Sequence, residues 1–571
     1  LYETDKISTG KFKSFNLFFA GKLLICSNAF YCWFRIKRFI AKWFDFNMEV
    51  TRKKGMTSLN HEGRVLHDGL SKKIMSADQA AAFIKNDMNV GMSGFTGAGY
   101  PKAIPAALAK HIEAAHARGE DFQIGLLTGA STATECDGVL AEANGIKWRT
   151  PYQSEPALRK QINAGAAHYF DMHLSHVAQQ STIGFYGKMH IAVVEVSGIL
   201  PDGRLIPSTS IGNNNAWLEN ADKIILEVNA QQSLMLEGMH DVYNDIGMPP
   251  NRKPIPLVTP GGRIGVPYLH CDLDKVVGVV LTNSPDRNSK FADPDECSNK
   301  IASHIIDFFH DEVKKGRMPE NLLPIQSGVG NVANAVLAGL QNSPFENLTG
   351  YTEVLQDGML DLIMSGKMTM ASATALSLSP DALERFNANI EELRARIVLR
   401  PQEITNHPEV ARRLGVLAIN AMIECDLYGN VNSTHVMGTN MMNGLGGSGD
   451  FARNAYTSFF VSPSVAKDGA ISCITPMVSH HDHTEHDVMV IVTEQGLADL
   501  RGLSPRQRAK AIIDNCAHPD YRPMLQDYFD RASDTAGMQT PHILDEALSW
   551  HQRYVETGDM RIKKAAYKIA V

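Results

Sequence analysis

The sequence predicts an α/β protein of two related domains, each built on a mainly parallel sheet. Two observations carry this. From about residue 66 onward, β-branched runs of buried-strand length alternate with amphipathic helical segments, the pattern of strands joined by covering helices. One theme also occurs twice: a short strand, a glycine-rich turn, then a small-residue helix. It runs through GFTGAGYPKAIPAALAKHI (94–112) and again through SGVGNVANAVLAGL (327–340). The polar stretch 283–300 (NSPDRNSKFADPDECSNK) lies between the two. Domains over 56–285 and 286–571 are therefore expected, behind a leader of residues 1–55. At 571 residues the chain is too long for one ordinary core, which agrees.

In the first half, SADQAAAFIKND (76–87) predicts an amphipathic helix with Ser76 as its N-cap. Residues 89–119 read as strand, glycine-rich turn and helix, with Pro in the helix's opening turns. DFQIGLLTGAS (121–131), HIAVVEVSGI (190–199), KIILEVNAQ (223–231) and KVVGVVLTNSP (275–285) read as buried strands. In the second half, KIASHIIDFFHDEVKKG (300–316) predicts a helix before the repeated theme. MLDLIMSGKM (359–368), the stretch 414–434, DGAISCITPMV (468–478) and HDVMVIVTEQG (486–496) read as strands and hairpins, and 504–532 as helical.

Composition narrows the function classes. The 44% apolar and 20% charged fractions are ordinary for a globular protein, and a net charge of −7 leaves no basic excess for nucleic acid. The eight cysteines are scattered without a CxxC pair, which argues against a zinc ribbon or disulfide scaffold and fits a reducing, cytoplasmic compartment. Residues 1–55 differ, with 11 Lys/Arg against 4 Asp/Glu and a run of Phe and Trp. Three readings compete for them: an addition ahead of Met56, an organelle-targeting or membrane-surface segment, and a structural arm. Charges break every apolar run, so no membrane span is expected.

Five stretches could carry chemistry. GFTGAGYPK (94–102) is not GxGxxG, and no GK[ST] follows, so it reads as a strand-to-helix turn or a loop admitting a ligand close to backbone. SHHDHTEHD (479–487) lacks the one-face spacing of HExxH. It is expected to be a polar loop near the site rather than a metal centre. NGLGGSGDFARNA (443–455) is a second glycine-rich loop whose backbone N–H groups can turn toward a ligand. TEQGLADLRGLSP (493–505) places Glu494 at the end of an apolar strand, where α/β sheets bind ligands, although pairing with Arg501 is equally open. The stretch 325–357 joins IQSGVGNVANAVLAGL to YTEVLQD. It sets a helix N-terminus beside one acid, Glu353, which can serve as nucleophile or base.

Taken together, GFTGAGYPK, SGVGNVANAV, YTEVLQDG, NGLGGSGDFARNA and TEQGLADLRGLSP resemble class I CoA-transferases of the acetyl-CoA hydrolase/transferase type, particularly the succinyl-CoA:acetate group. The resemblance spans about residues 66–540 and leaves out 1–55. It implies two related CoA-transferase-type α/β domains and an enzyme that moves CoA between acyl-CoA and a short carboxylate. Glu353 would be the nucleophile, passing through an anhydride and a glutamyl-CoA thioester without ATP or metal. It implies an oxyanion hole from the backbone N–H groups of Val329 and Gly447, with Asn406 and Glu494 near the nucleophile. Arg287 would pair with the acceptor's carboxylate. CoA would lie along Gln326, Ser327, Gly328, Val329, Gly330, Asn443 and Gly447, with Lys467 at a phosphate. CoA and acyl-CoA enter as substrates, no cofactor is held permanently, and a homodimer is implied. Propionyl-CoA:succinate transfer, acetyl-CoA hydrolysis and non-catalytic acyl-CoA binding are the alternatives.

Overall fold

The computed structural model describes residues 61–288, 294–328 and 330–562; the 1–55 leader lies outside them. Two eight-stranded sheets organise the chain. The first runs, edge to edge, His168–Tyr169, Ile146–Thr150, Ile124–Leu127, Asn89–Met92, Ile191–Ile199, Lys223–Asn229, Val276–Thr282. All of these pair in parallel, and Leu205–Pro207 adds antiparallel to Ile191–Ile199. The second runs Ile397–Leu399, Met368–Ala373, Leu348–Tyr351, Ile325–Ser327, Leu417–Ala421, Thr457–Val461, Val490–Thr493, again parallel. Gly496–Asp499 closes it antiparallel.

Ranked by position in the chain, the parallel strands of both sheets fall in the same order, 4-3-2-1-5-6-7. The repeated sequence theme thus marks a repeated architecture. In each sheet the order reverses between the first strand and the fifth; in the second sheet a crevice opens there beyond the strands' C-terminal ends. The continuous apolar runs follow from burial on both faces: all nine residues of Ile191–Ile199 are buried.

The helix expected after the polar stretch is Glu296–Lys314, capped by Asp295, whose side chain accepts the Ser298 N–H. It lies on the second sheet, with Phe308 and Phe309 edge-on to Phe459. Ser76 caps the helix Ala77–Ala81 as expected, in a capping box with Gln79. One expectation is corrected. MLDLIMSGKM is not a strand: residues 357–364 form the helix Asp357–Met364, and the next strand starts at Met368. Met359, Leu360, Leu362 and Ile363 are buried and Asp361 and Met364 exposed, the i, i+3, i+4 spacing of one helical face in a run too short for periodicity to separate helix from strand.

The two sheets are stitched together at the site end. The Ile211 N–H donates to the Thr374 carbonyl and the Gln402 N–H to the Gly212 carbonyl, each at 2.9 Å. Arg400, fully buried at the end of Ile397–Leu399, donates to Ser372 Oγ at 2.8 Å and to the Pro260 carbonyl at 3.1 Å, and pairs with Asp241. Asp241 also accepts the Gly265 N–H at 2.7 Å. Arg400→Met removes one member of a buried pair and strands the other. The expected loss is about 3–5 kcal/mol, read as a lower urea midpoint at unchanged m-value.

Candidate active site

The second sheet's crevice holds a cavity of about 350 Å³. Gln326, Ser327 and Gly328 line it from the first strand, and Asn420 and Ala421 from the fifth. Glu353 enters from the neighbouring strand, on the bend between Leu348–Tyr351 and Val354–Leu355. Its backbone carbonyl accepts the Thr374 N–H at 2.9 Å, which holds the bend in place. The equivalent position of the first sheet is instructive. There the strand Ile124–Leu127 is followed by buried Thr128 and Gly129, where the second sheet has buried Thr352 and half-buried Glu353. Only one half of the duplication carries an acid at this point.

Two groups hold the Glu353 carboxylate. Asn406 Nδ2 donates to Oε2 at 2.8 Å. Thr405 Oγ1 donates to Asn406 Oδ1 at 2.9 Å, so the amide presents its N–H₂ to the acid. The glycine-rich loop closes from the other side. A Cβ on Gly447 would stand 1.8 Å from Glu353 Oε2 and 2.7 Å from Asn406 Nδ2. Its φ of −82° is ordinary, so the demand for glycine here is purely steric.

Burial pushes the Glu353 carboxyl up to about 7; the Asn406 hydrogen bond opposes this and the nearby Asp450 charge adds to it. A carboxylate stripped of water in this way is a stronger nucleophile and base than one in solution. Tyr152, from the first half of the chain, completes the wall and is pushed up to about 12, chiefly by burial, so it stays a neutral phenol.

The remaining expected residues divide. Gln326 and Asn420 exchange amide hydrogen bonds at 3.2 and 3.3 Å. Ser327 Oγ is buried in the cavity wall without a hydrogen-bond partner among the described residues. Gly328 is anchored, its N–H donating to the Ile419 carbonyl at 2.9 Å and its carbonyl accepting Gln356 Nε2 at 2.8 Å. Gly330 takes φ 138° at the start of helix Asn331–Asn342, a conformation that favours glycine. Val329 lies outside the described residues. Asn443 lines the cavity and donates to the Ser433 and Gly444 carbonyls.

Three expected residues do not line this cavity. Arg287 is exposed and paired with Glu135 at 2.9 Å. Lys467 sits exposed on the turn between Val465–Ala466 and Ile471–Ser472. Glu494 is held by the Ser464 N–H at 2.7 Å, by Ser464 Oγ and by Gln495 Nε2 at 2.8 Å, and these bonds keep its carboxyl below the ordinary range.

The histidine-rich stretch is a brace. His483 is buried against Phe460, and its Nε2 meets Ser448 Oγ at 3.1 Å, behind the glycine-rich loop. Sequence reasoning missed Tyr152 and Thr405 altogether; neither stands in a glycine-rich motif or beside the lone acid.

A parallel-sheet crevice with a half-buried carboxylate facing a glycine-rich loop fits an acyl-transfer enzyme of the CoA-transferase class. The chain belongs to the acetyl-CoA hydrolase/transferase family: residues 58–281 match its N-terminal domain and residues 383–529 its C-terminal domain. It is 53% identical over 500 residues to a succinyl-CoA:acetate CoA-transferase of Clostridium kluyveri, covering 88% of this chain and 92% of that one. It is 46% identical to a propanoyl-CoA:succinate CoA transferase of Escherichia coli, covering 85% and 98%. The crystal structure of RipA from Yersinia pestis shares the fold, with a TM-score of 0.63 at 22% identity over 82% of this chain and 98% of that one.

Two outcomes follow from this geometry. Gly447→Ala drives a methyl into Glu353 and Asn406, and a displacement of about 1 Å at a reacting group costs about 100-fold in kcat. Steady-state kinetics on the folded variant check it. Activity that needs the Glu353 carboxylate rises with pH through about 7, the value to which its carboxyl is pushed, and is lost below it. The pH profile of kcat/KM measures this.

Proposed function

We propose that this enzyme transfers CoA from succinyl-CoA to acetate, with Glu353 as the nucleophile. A Glu353 oxygen attacks the succinyl thioester carbonyl, and the carbonyl π electrons move onto its oxygen. On the resemblance, the backbone N–H groups of Gly447 and Val329 receive that oxyanion. Collapse breaks the C–S bond, releasing CoA thiolate and leaving a succinyl–glutamyl anhydride. The thiolate attacks the glutamyl carbonyl, succinate departs, and Glu353 is left as its CoA thioester. Acetate then attacks this thioester, and the same two steps in reverse yield acetyl-CoA and free Glu353. The thioester bond energy is conserved throughout, and CoA is carried as substrate rather than as a resident cofactor.

The observation that supports this reading is the carboxylate's setting: half-buried, held by one amide, and touched by a loop that has room only for hydrogen. Asn406 orients the attacking oxygen. Arg287, Glu494 and Lys467 are proposed as contacts for the acceptor carboxylate, the reacting centre and the CoA phosphates, made when substrate draws their loops toward the cavity. The resemblance also suggests a homodimer, which light scattering checks.

The test follows acetyl-CoA and free CoA from succinyl-CoA, with and without acetate. Acetyl-CoA formed only with acetate is expected; CoA released equally without acetate would make the enzyme a hydrolase. Propionyl-CoA with succinate, run in parallel, decides the donor and acceptor preference. Borohydride after acyl-CoA should alter the mass of the Glu353 peptide, and an unmodified peptide would leave only acyl-CoA binding. Glu353→Ala is expected to abolish transfer. Glu353→Asp should retain about 1%, because the carboxylate retreats by roughly one methylene.

A further inference from the structure

Asp450 stands behind the nucleophile and takes no part in the steps above. It lies in the short helix Ser448–Ala452 that continues the Gly447 loop, is 3% exposed, and does not line the cavity. Both its oxygens are occupied by the first half of the chain. Ser175 Oγ donates to Oδ1 at 2.6 Å, and the Ser175 N–H donates to Oδ2 at 3.0 Å.

The turn that supplies Ser175, Leu174–His176, is also tied to the nucleophile's other support. Gln402 Nε2 donates to the Leu174 carbonyl at 3.1 Å. The Asn406 N–H donates to the Gln402 carbonyl at 2.9 Å, and the Asn406 side chain donates to Glu353. A closed circuit results: Glu353, Asn406, Gln402, the 174–175 turn, Asp450, Gly447 and back to Glu353. The fit is tight on this side too, since a Cβ on Gly449 would stand 2.5 Å from His173 Cε1.

We propose that Asp450 is a positioning residue for Glu353: its carboxylate pins the Gly447 loop to the 174–175 turn and keeps a negative charge behind the nucleophile. The inference rests on Glu353 being that nucleophile. The charge acts differentially. Free Glu353 is an anion, whereas its anhydride and thioester are neutral, and on attack the charge moves onto the acyl oxygen. Where Asp450 is ionised, it therefore raises the energy of the resting carboxylate more than that of the acylated forms. Burial pushes both carboxyls up to about 7, and Asp450 adds to the effect on Glu353. The titratable and charged groups facing Asp450 are His173 at 3.9 Å, Arg453 and Glu353; those facing Glu353 are Asp450 and Tyr152.

The test pairs Asp450→Asn, which keeps the shape and removes the charge, with Asp450→Glu, which keeps the charge and disturbs the clamp. Single-turnover formation of the borohydride-trapped Glu353 adduct is followed between about pH 5 and 9, alongside steady-state kinetics. In Asp450→Asn the acid limb is expected to move down by about one pH unit, a relative gain of about tenfold on the acid side. Its plateau should fall about tenfold, with KM for acyl-CoA unchanged. In Asp450→Glu the limb should stay and the plateau fall about 100-fold. A wild-type limb in Asp450→Asn overturns the proposal while leaving the nucleophile intact. If that variant does not fold, Asp450→Glu decides, because a wild-type plateau there overturns the proposal equally. Absence of the adduct in the wild-type enzyme removes the nucleophile and this inference together.

Discussion

A single steric constraint organises the active end of the molecule: between Glu353 and the glycine-rich loop there is room for a hydrogen and nothing larger. Everything nearby maintains that spacing. The loop is braced from behind by His483 through Ser448, and from the side by Ser175 through Asp450. The acid is braced by Asn406, and Asn406 by Thr405. In the proposed reaction Glu353 is the nucleophile, a poor one in water, and these contacts supply a fixed orientation and a thin solvation shell.

The duplication explains why so large a scaffold serves one acid. Both halves repeat the strand order, and both place a buried threonine after the second strand, Thr128 in one and Thr352 in the other. The second half then continues with Glu353 and the first with Gly129. That glycine is filled against its surroundings: a Cβ on it would meet the Gly94 carbonyl at 2.7 Å and Phe95 Cδ2 at 2.9 Å. The corresponding point of the first half is thus filled around Gly129. That half contributes to the site through Thr96, Ala130 and Tyr152 in the cavity wall and through the 174–175 turn behind the loop. The same division explains the buried Arg400–Asp241 pair, which locks the end of a second-sheet strand to a loop of the first half.

Much of this was legible in the sequence. The strand runs of the parallel sheets announce themselves because burial on both faces demands unbroken β-branched stretches, as in 190–199 and 223–229. The two glycine-rich loops and Glu353 were legible because glycine and an isolated acid are conspicuous against strand-formers. The helix Asp357–Met364 was misread because it is short: its period, buried at 359, 360, 362 and 363 and exposed at 361 and 364, spans less than two turns. The histidine-rich stretch was legible as a polar loop near the site, but not as the brace that holds Ser448.

By itself, then, the sequence determined the fold class, the repeated theme, the family and the acid, since each is written in local pattern and short-range spacing. Only the tertiary structure decided what surrounds the acid. It chose Tyr152 and Ser175 from 178 or more residues upstream, set Asp450 behind the loop rather than in the cavity, and left Arg287, Lys467 and Glu494 outside the cavity wall. The physical reason is that these placements follow from how two sheets meet. A side chain's distance from the nucleophile depends on the packing of elements far apart in the chain, and no local pattern records it.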